Sequence, residues 1–203
     1  TGDSGSSGCM HNLGVQAEET AMLSTSYPST SKWVTAVGGT NLTLHDDNTI
    51  ASSGVWNDLQ FGIDFDAQGG AGGGGTSQLI ERPWYQRSGA VPGDATARVV
   101  PDISLFADEL PGYLLFVPTA DLSPGDPSGS PGWTIVGGTS AATPLFAGMA
   151  LLLGQEANSR WQPTLGFANP LLYALAESGT SLLDITQGSN DMVPMWVDCC
   201  DAT

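Results

Sequence analysis

The sequence has few positive charges. Among its 203 residues, five are lysine or arginine and 21 are aspartate or glutamate, giving a formal net charge of −16 at pH 7. A field of this sign repels nucleic acids and anionic membrane surfaces, so we expect neither as a partner. Near the isoelectric point of about 4.1 most of the self-repulsion disappears, so the composition suits an acidic compartment.

Long hydrophobic runs are also missing. No stretch of about 18 apolar residues occurs, so we expect no membrane-spanning helix. The first residues lack the basic and apolar regions of a signal peptide, which places any targeting information outside this sequence. With only 13% charged residues, 27 glycines and 13 prolines, the composition is typical of a loop-rich, secreted-type domain. The length and the absence of an internal repeat predict one domain with a sizeable core.

Cysteine is scarce and its count is odd. The three cysteines are Cys9, Cys199 and Cys200. One disulfide from Cys9 to the C-terminal pair is compatible with a secreted protein. It would leave one thiol either free or paired outside the chain.

The stretch from Trp133 to Gly154 carries the strongest pattern. A β-branched run, two glycines and a long apolar segment predict a strand, a tight turn and a buried helix that begins near Ser140. Pro144 fits the first turn of such a helix. A hydroxyl there would lie beside free N–H groups and the positive end of the helix dipole, which can hold an oxyanion. Gly137 and Gly138 would allow a substrate backbone to approach.

Two structural alternatives stay open at this point. Ser140 could simply cap a core helix. Asp3, in the glycine-rich segment Thr1–Cys9, could be an ordinary turn or cap aspartate. Neither residue decides between the alternatives by itself.

Several motifs together resemble one family. GGTSAATP, which contains Ser140, resembles the GTSxxxP motif shared by subtilisin-like peptidases and sedolisins, and GDSG around Asp3 resembles the sedolisin segment. VTAVGGT, a glycine run before PxYQ, and RxxPDxS follow in the family's order. The resemblance implies an α/β fold with a subtilisin-like, doubly wound, mostly parallel sheet flanked by helices. Residues 1–203 would form the C-terminal portion of a single catalytic domain.

The resemblance also implies roles for site residues. Ser140 would be the nucleophile of a serine-carboxyl peptidase, and Asp3 would form the oxyanion hole with the Ser140 N–H. An ionised Asp3 would repel the oxyanion, whereas a protonated one can donate to it, so the enzyme should act in acid. The substrate-binding residues would be Gly73, Gly74, Gly138 and Thr139.

A calcium site is implied in part. Leu182–Asn190 resembles the first half of the sedolisin site, in which the Asp184 carboxylate and the Ile185 carbonyl would bind Ca²⁺. The second half of that motif is not in the sequence. Asp198 and Asp201 are conceivable substitutes that we do not adopt.

The activating base of the family is not found. In sedolisins a glutamate oriented by an aspartate precedes the GDSG segment. Glu18, Glu19, Glu81 and Glu109 all follow Asp3 and match no base motif. We therefore expect a second polypeptide to complete the domain. The substrate would be a peptide or protein, and the location secreted, lysosomal or vacuolar. Cys9 and the C-terminal cysteines most resemble the tripeptidyl-peptidase branch, but exopeptidase and endopeptidase action both remain open.

Three other functions are compatible with parts of the sequence. A subtilisin-like protease needs a histidine base, and neither His11 nor His45 lies in suitable surroundings. A non-catalytic relative would keep the fold without the base. A carbohydrate-binding or adhesion module fits the Gly, Ser and Trp content but gives no reason for the ordered motifs.

Local patterns predict several further elements. We expect strands at Trp33–Val37, Asn41–Leu44 and Tyr113–Val117, and a turn at His45–Asn48. Asn169 should cap a helix that has Pro170 in its first turn, and a short helix is possible at Ala17–Leu23. Asp102 is interpreted as a structural hydrogen-bond acceptor.

Overall fold

The computed structural model of the chain describes residues 1–8, 23–58, 70–87, 89–91, 95–118, 131–162, 164–179 and 181–192. This part contains seven strands, two α-helices and one short 3-10 helix. The strands are β1 Val37–Leu44, β2 Ile50–Val55, β3 Gly75–Glu81, β4 Ala97–Val100, β5 Ile103–Phe106, β6 Tyr113–Val117 and β7 Gly132–Val136. The helices are the 3-10 helix Trp84–Arg87, α1 Thr139–Ser159 and α2 Asn169–Ser178.

The central sheet has the order β2-β1-β5. β1 is parallel to β5 and antiparallel to β2, to which the predicted turn at residues 45–48 connects it. Our two predicted strands, Trp33–Val37 and Asn41–Leu44, are wrong in their bounds, because one strand runs from Val37 through both glycines. Glycine is required within this strand because other side chains pack against its backbone. A Cβ on Gly39 would lie 2.8 Å from Ala107 and 2.9 Å from Trp56.

The other four strands form two ribbons. β3 pairs with β4, and β6 pairs with β7, both antiparallel. The predicted strand Tyr113–Val117 is confirmed as β6. Among the described strands the pairings are thus mixed, one parallel and three antiparallel. The α/β character agrees with the prediction.

Helix α1 packs one face against the central sheet. Ala142 and Phe146 join a core cluster with Val37, Trp56 and Ala107. Within this chain the expected burial of the whole helix does not occur: only Thr139 and Ala142 are buried, because the described residues cover only the sheet-facing side of a helix that is apolar nearly all round. Within α1, the most exposed large apolar side chains are those of Leu151, Leu152 and Leu153, at 76%, 67% and 58%.

No helix in the described ranges combines the length and the apolar character needed to cross a bilayer.

Helix α2 corrects one cap prediction. Asn169 is the first helical residue rather than the cap, and no side chain caps the helix. The Asn169 side chain turns inward instead. It accepts a hydrogen bond from Thr35 Oγ1 at 2.6 Å and donates one to Tyr85 Oη at 3.1 Å. Pro170 lies in the first turn, as predicted.

A buried ion pair joins β4, β5 and α2. Arg98 donates through both terminal nitrogens to the Asp102 carboxylate at 2.5 Å, and both side chains are fully buried. Asp102 also accepts from Ala36 N at 2.7 Å and from Tyr173 Oη at 2.9 Å. Burial raises the pKa of Tyr173, and the negative charge of Asp102 raises it further. The interpretation of Asp102 as a structural acceptor is confirmed.

Some predictions fall outside the described residues. They concern the short helix at Ala17–Leu23, apart from its last residue, and the three cysteines with Asp198 and Asp201. They stay predictions.

Candidate active site

Asp3 lies at the start of helix α1. Its Oδ1 atom accepts two hydrogen bonds from Thr139, one from the backbone N–H and one from Oγ1, both at 2.8 Å. The two residues are 136 positions apart in the chain. The structure therefore places Asp3 in contact with Thr139, the residue that precedes Ser140.

Ser140 is the second residue of α1 and is exposed. The N–H groups of a first helical turn have no intrahelical carbonyl to bond, and the positive end of the helix dipole lies there. The preceding N–H, that of Thr139, is already bonded to Asp3. The Ser140 hydroxyl and N–H thus lie together at the solvent-facing end of the helix, beside a carboxyl group.

Pro144 corrects a second prediction. It occupies the sixth position of α1, beyond the first turn, where its missing N–H would have bonded the Ser140 carbonyl. The Ser140 carbonyl therefore has no donor from the helix backbone at that position. Close by, Thr143 Oγ1 donates to the Thr139 carbonyl at 2.7 Å. Side chains thus help to hold the turn that carries Ser140.

The two glycines before Ser140 each lie beneath a carboxylic side chain. Gly138 has φ 73° and ψ 173°, a region open essentially to glycine alone. A Cβ there would lie 2.6 Å from Asp3 Oδ2, and a Cβ on Gly137 would lie 2.5 Å from Glu109 Cγ. Glycine is needed at both positions for these side chains to approach the backbone.

Four acids interact through their charges near this point: Asp3, Asp58, Asp108 and Glu109, hereafter the acidic group. Burial raises the pKa of Glu109, and the charges of Asp58, Asp3 and Asp108 raise it further. Burial also raises the pKa of Asp108 against an opposing hydrogen bond from Leu110 N, and Asp58 adds to the increase. A folded state that holds protons more tightly than the unfolded chain loses stability as the pH rises. Acid therefore favours this arrangement.

No sequence pattern predicts Glu109 at this position. It matched no base motif, and its position follows from contacts distant in the chain. β1 and β5 pair in parallel, and Gly138 N donates to the Ala107 carbonyl at 2.6 Å. Together these contacts carry the turn after β5 to the glycine pair. Parallel pairing leaves no local sequence signal that could have predicted it.

The basic side chains do not balance the charge of the acidic group. Arg98 pairs with Asp102, and Arg160 pairs with Glu156 at 2.6 Å. Arg82 donates to backbone carbonyls. All five lysine and arginine residues fall within the described ranges, and in these ranges none forms an ion pair with the acidic group. The negative charge at the site is therefore not neutralised by a basic side chain.

Gly73 and Gly74, predicted to bind substrate, are buried. Gly73 N donates to the Gly2 carbonyl at 2.8 Å, and a Cβ on Gly73 would lie 2.3 Å from the Thr1 carbonyl oxygen. These glycines thus let the chain pack against the loop that carries Asp3. Both also line a cavity of about 450 Å³, together with Ser6 and Asn190.

The predicted calcium ligands lie apart from Ser140 in the sequence. Asp184 is exposed, and the half-buried Ile185 lines the same cavity. Their carboxylate and carbonyl oxygens are donors that Ca²⁺ prefers, but they supply only two of the roughly six to eight required. Within the described ranges, no cluster of three or more His, Cys, Asp or Glu residues could hold a metal. The described residues fit part of a calcium site.

Comparison with known proteins places the chain in a family. The family model described as "Subtilase family" matches residues 6–166. Kumamolisin from Bacillus sp. (strain MN-32) is 33% identical over 196 residues, and sedolisin from Pseudomonas sp. (strain 101) is 34% identical over 168 residues. These alignments cover 94% and 82% of this chain. The chain belongs to the subtilase family and, within it, to the sedolisins.

A solved structure agrees with this assignment. Pseudomonas sedolisin, described as a serine-carboxyl proteinase complexed with two molecules of pseudo-iodotyrostatin, matches 94% of this chain with a TM-score of 0.70 and 31% identity. Tripeptidyl-peptidase 1 from Mus musculus is 30% identical over 179 residues, which cover 82% of this chain. The chain spans 46% of the solved sedolisin chain. It spans 29% of kumamolisin, 25% of the Pseudomonas sedolisin sequence and 26% of the mouse enzyme.

Replacing Gly138 should test the close contact with Asp3. We expect Gly138→Ala to lower the free energy of unfolding by at least about 1–3 kcal/mol, because the backbone region excludes side chains and the new methyl group would displace Asp3 Oδ2. The measurement is urea unfolding. Gly148→Ala is the matched control: Gly148 lies within α1 with nothing near its Cβ position, so the change should stabilise the helix by up to about 1 kcal/mol. Equal effects of the two changes would contradict the assignment.

Proposed function

We propose that the chain is part of an acid-acting serine-carboxyl peptidase in which Ser140 is the nucleophile and Asp3 belongs to the oxyanion hole. The observation that carries the proposal is the pair of hydrogen bonds from Thr139 to Asp3 Oδ1. It holds a carboxyl group beside a serine at a helix N-terminus. Membership of the sedolisins supports the same chemistry.

The proposed reaction begins at Ser140. A carboxylate base from outside this chain takes the hydroxyl proton as the Ser140 oxygen attacks the carbonyl carbon of a peptide bond. The oxyanion that forms accepts hydrogen bonds from the Ser140 N–H and from protonated Asp3. Collapse of this intermediate releases the amine product and leaves an acyl-enzyme, which water then hydrolyses.

The acid requirement follows from Asp3. Oδ1 already accepts two hydrogen bonds, so Oδ2 is the oxygen that can carry a proton and donate it. When Asp3 is ionised, it presents a negative charge to a negative intermediate, and stabilisation is lost. The raised pKa of Glu109 supports the same preference, since each further ionised carboxyl near the oxyanion would oppose its formation.

The rest of the catalytic domain would be supplied by a second polypeptide or segment. The exposed leucines of α1 form an apolar surface, and the β6–β7 ribbon adds Leu114 and Trp133, exposed by 68% and 67%. Exposed large apolar side chains of this kind are typical of an interaction site. The chain spans less than half of the solved sedolisin chain, which leaves enough structure to cover this surface and to contribute the base.

The substrate would be a peptide or protein, as the family implies. The formal net charge of −16 at pH 7 largely disappears near the isoelectric point, so the composition suits an enzyme that acts in acid. We propose a secreted, lysosomal or vacuolar location and, for Cys9, a disulfide with the C-terminal pair. Gly73, Gly74, Gly138 and Thr139 would line the path of the substrate.

Calcium would be bound through the Asp184 carboxylate and the Ile185 carbonyl, with the remaining donors from outside the described residues. Bound Ca²⁺ supplies a structural clip rather than a catalytic group. These residues would hold the ion near Asn190, whose carbonyl accepts a hydrogen bond from Ser6 N at 3.0 Å. Bound calcium would therefore stabilise the end of the loop that carries Asp3.

Labelling with a fluorophosphonate tests the nucleophile. We expect the isolated enzyme to react at about pH 4, where an aspartic acid is substantially protonated, and Ser140→Ala not to react. Asp3→Asn should raise the ratio of labelling at pH 7 to that at pH 4, because an amide donates at either pH. Labelling that is equally fast at both pH values in the wild type would argue against the role of Asp3. Absence of any labelling would favour a non-catalytic relative.

Non-denaturing mass measurement tests the second polypeptide. We expect the isolated protein to carry a partner in addition to the 20.9 kDa chain. Leu151→Glu should release the partner, because it places a charge on the apolar face of α1. Ala176→Glu adds the same charge to an exposed position of α2 and should leave the complex intact. A single 20.9 kDa species that is active would contradict this part of the proposal.

Thermal unfolding in a calcium titration tests the metal site. Binding to the folded state raises the melting temperature as the ion concentration increases. Asp184→Asn removes a charged ligand, so we expect at least about a tenfold higher calcium concentration for the same rise. Asp46→Asn, at an exposed position in the β1–β2 turn, is the control and should behave like the wild type. A wild-type melting temperature indifferent to calcium would rule out the site.

A further inference from the structure

The Thr139 side chain is buried, with 4% exposure, and its hydroxyl makes two hydrogen bonds. It accepts from Gly2 N at 3.1 Å and donates to Asp3 Oδ1 at 2.8 Å. The backbone N–H of the same residue donates to the same oxygen. Thr139 thus binds both the backbone and the carboxyl group of the loop that carries Asp3.

A purely helical role would direct this hydroxyl elsewhere. Thr143, four residues further along α1, shows the usual alternative, because its Oγ1 donates to a carbonyl of its own helix. Thr139 instead directs its donor to a loop 136 positions away. The Asp3 carboxylate also accepts a hydrogen bond from the Thr139 N–H and so caps the N-terminus of α1. Capping alone requires only this backbone bond and not the Thr139 hydroxyl.

The two bonds make the oxygens of Asp3 unequal. Oδ1 accepts from two donors, so a proton placed on Oδ1 would displace one of them. Oδ2 lies over Gly138, where a Cβ would be 2.6 Å away, and accepts no hydrogen bond from the residues that the structure describes. A proton added to Asp3 therefore resides on Oδ2.

We propose that Thr139 is a positioning residue that acts through Asp3: its hydroxyl fixes the carboxyl group so that Oδ2 carries the proton and points it at the substrate carbonyl oxygen. This inference rests on the proposed peptidase function. It assigns Thr139 a task distinct from lining the path of the substrate. Within the described residues, the charge of Asp3 interacts with that of Glu109, and a change at Thr139 leaves Glu109 unaltered.

Two variants of the isolated enzyme separate orientation from packing. Thr139→Val keeps the shape and removes the hydroxyl, whereas Thr139→Ser keeps the hydroxyl and removes a methyl group. We expect Thr139→Val to lower kcat by about 10- to 100-fold with KM little changed, somewhat less than the loss of a whole oxyanion donor. Thr139→Ser should stay within about threefold of the wild type.

The pH profile of kcat provides the readout that packing alone would not move. The Thr139 hydroxyl donates to a carboxylate oxygen, and a hydrogen bond of this kind favours the ionised form of a carboxyl group, so its removal should change the pH dependence of kcat. We expect the high-pH limb to move upward in Thr139→Val, by up to about one pH unit, and to stay in place in Thr139→Ser. Melting temperatures of all variants establish that each is folded.

The outcomes distinguish this inference from the function on which it rests. If Ser140→Ala and Asp3→Asn abolish or alter activity while Thr139→Val matches the wild type in kcat and pH profile, the positioning role is wrong and the peptidase proposal stands. If Thr139→Ser fails as severely as Thr139→Val, the methyl group matters rather than the hydroxyl, which also overturns the inference. If Ser140→Ala leaves the activity unchanged, the proposed function itself fails.

Discussion

The contact between Asp3 and the first residue of α1 is the constraint on which the site depends. Two hydrogen bonds of 2.8 Å join segments 136 residues apart. They place a carboxyl group one residue from the serine and satisfy a helix N–H that has no intrahelical partner. Within the described part of the chain, they leave the second carboxyl oxygen without a hydrogen bond. Without this contact, Ser140 would be an ordinary serine at the start of a helix.

Close approach of backbones makes the contact possible. Gly73 packs against Thr1, Gly39 against Ala107 and Trp56, and Gly138 against Asp3. Each glycine removes a Cβ that would hold two segments apart. The glycine-rich composition is therefore a packing requirement of this fold around its site as well as a sign of loops. The neighbouring strands β4 and β5 are instead held together by the buried ion pair of Arg98 and Asp102.

The sequence predicted the proximity of Asp3 and Ser140 better than it predicted the bounds of the strands, and the catalytic roles of the two residues stay predictions. The motifs around Asp3 and Ser140 indicated two residues that the structure brings together, because each motif encodes a local turn. The bounds of β1 were wrong because Gly38 and Gly39 were interpreted as a strand end, although the tertiary contacts require glycine within the strand. Asn169 was misassigned because its partners, Thr35 and Tyr85, are distant in the chain. The place of Glu109 could not be predicted for the same reason.

The backbone of Gly138 also limits how this protein can evolve. With φ 73° and ψ 173°, the position admits no other amino acid without strain, and the space that a side chain would need holds Asp3 Oδ2. Every coding change at this codon therefore damages the fold and the site at once. Loss of the aspartate at position 3 would open the space over Gly138 but leave its backbone angles unchanged, so a lineage that kept the scaffold would still retain the glycine.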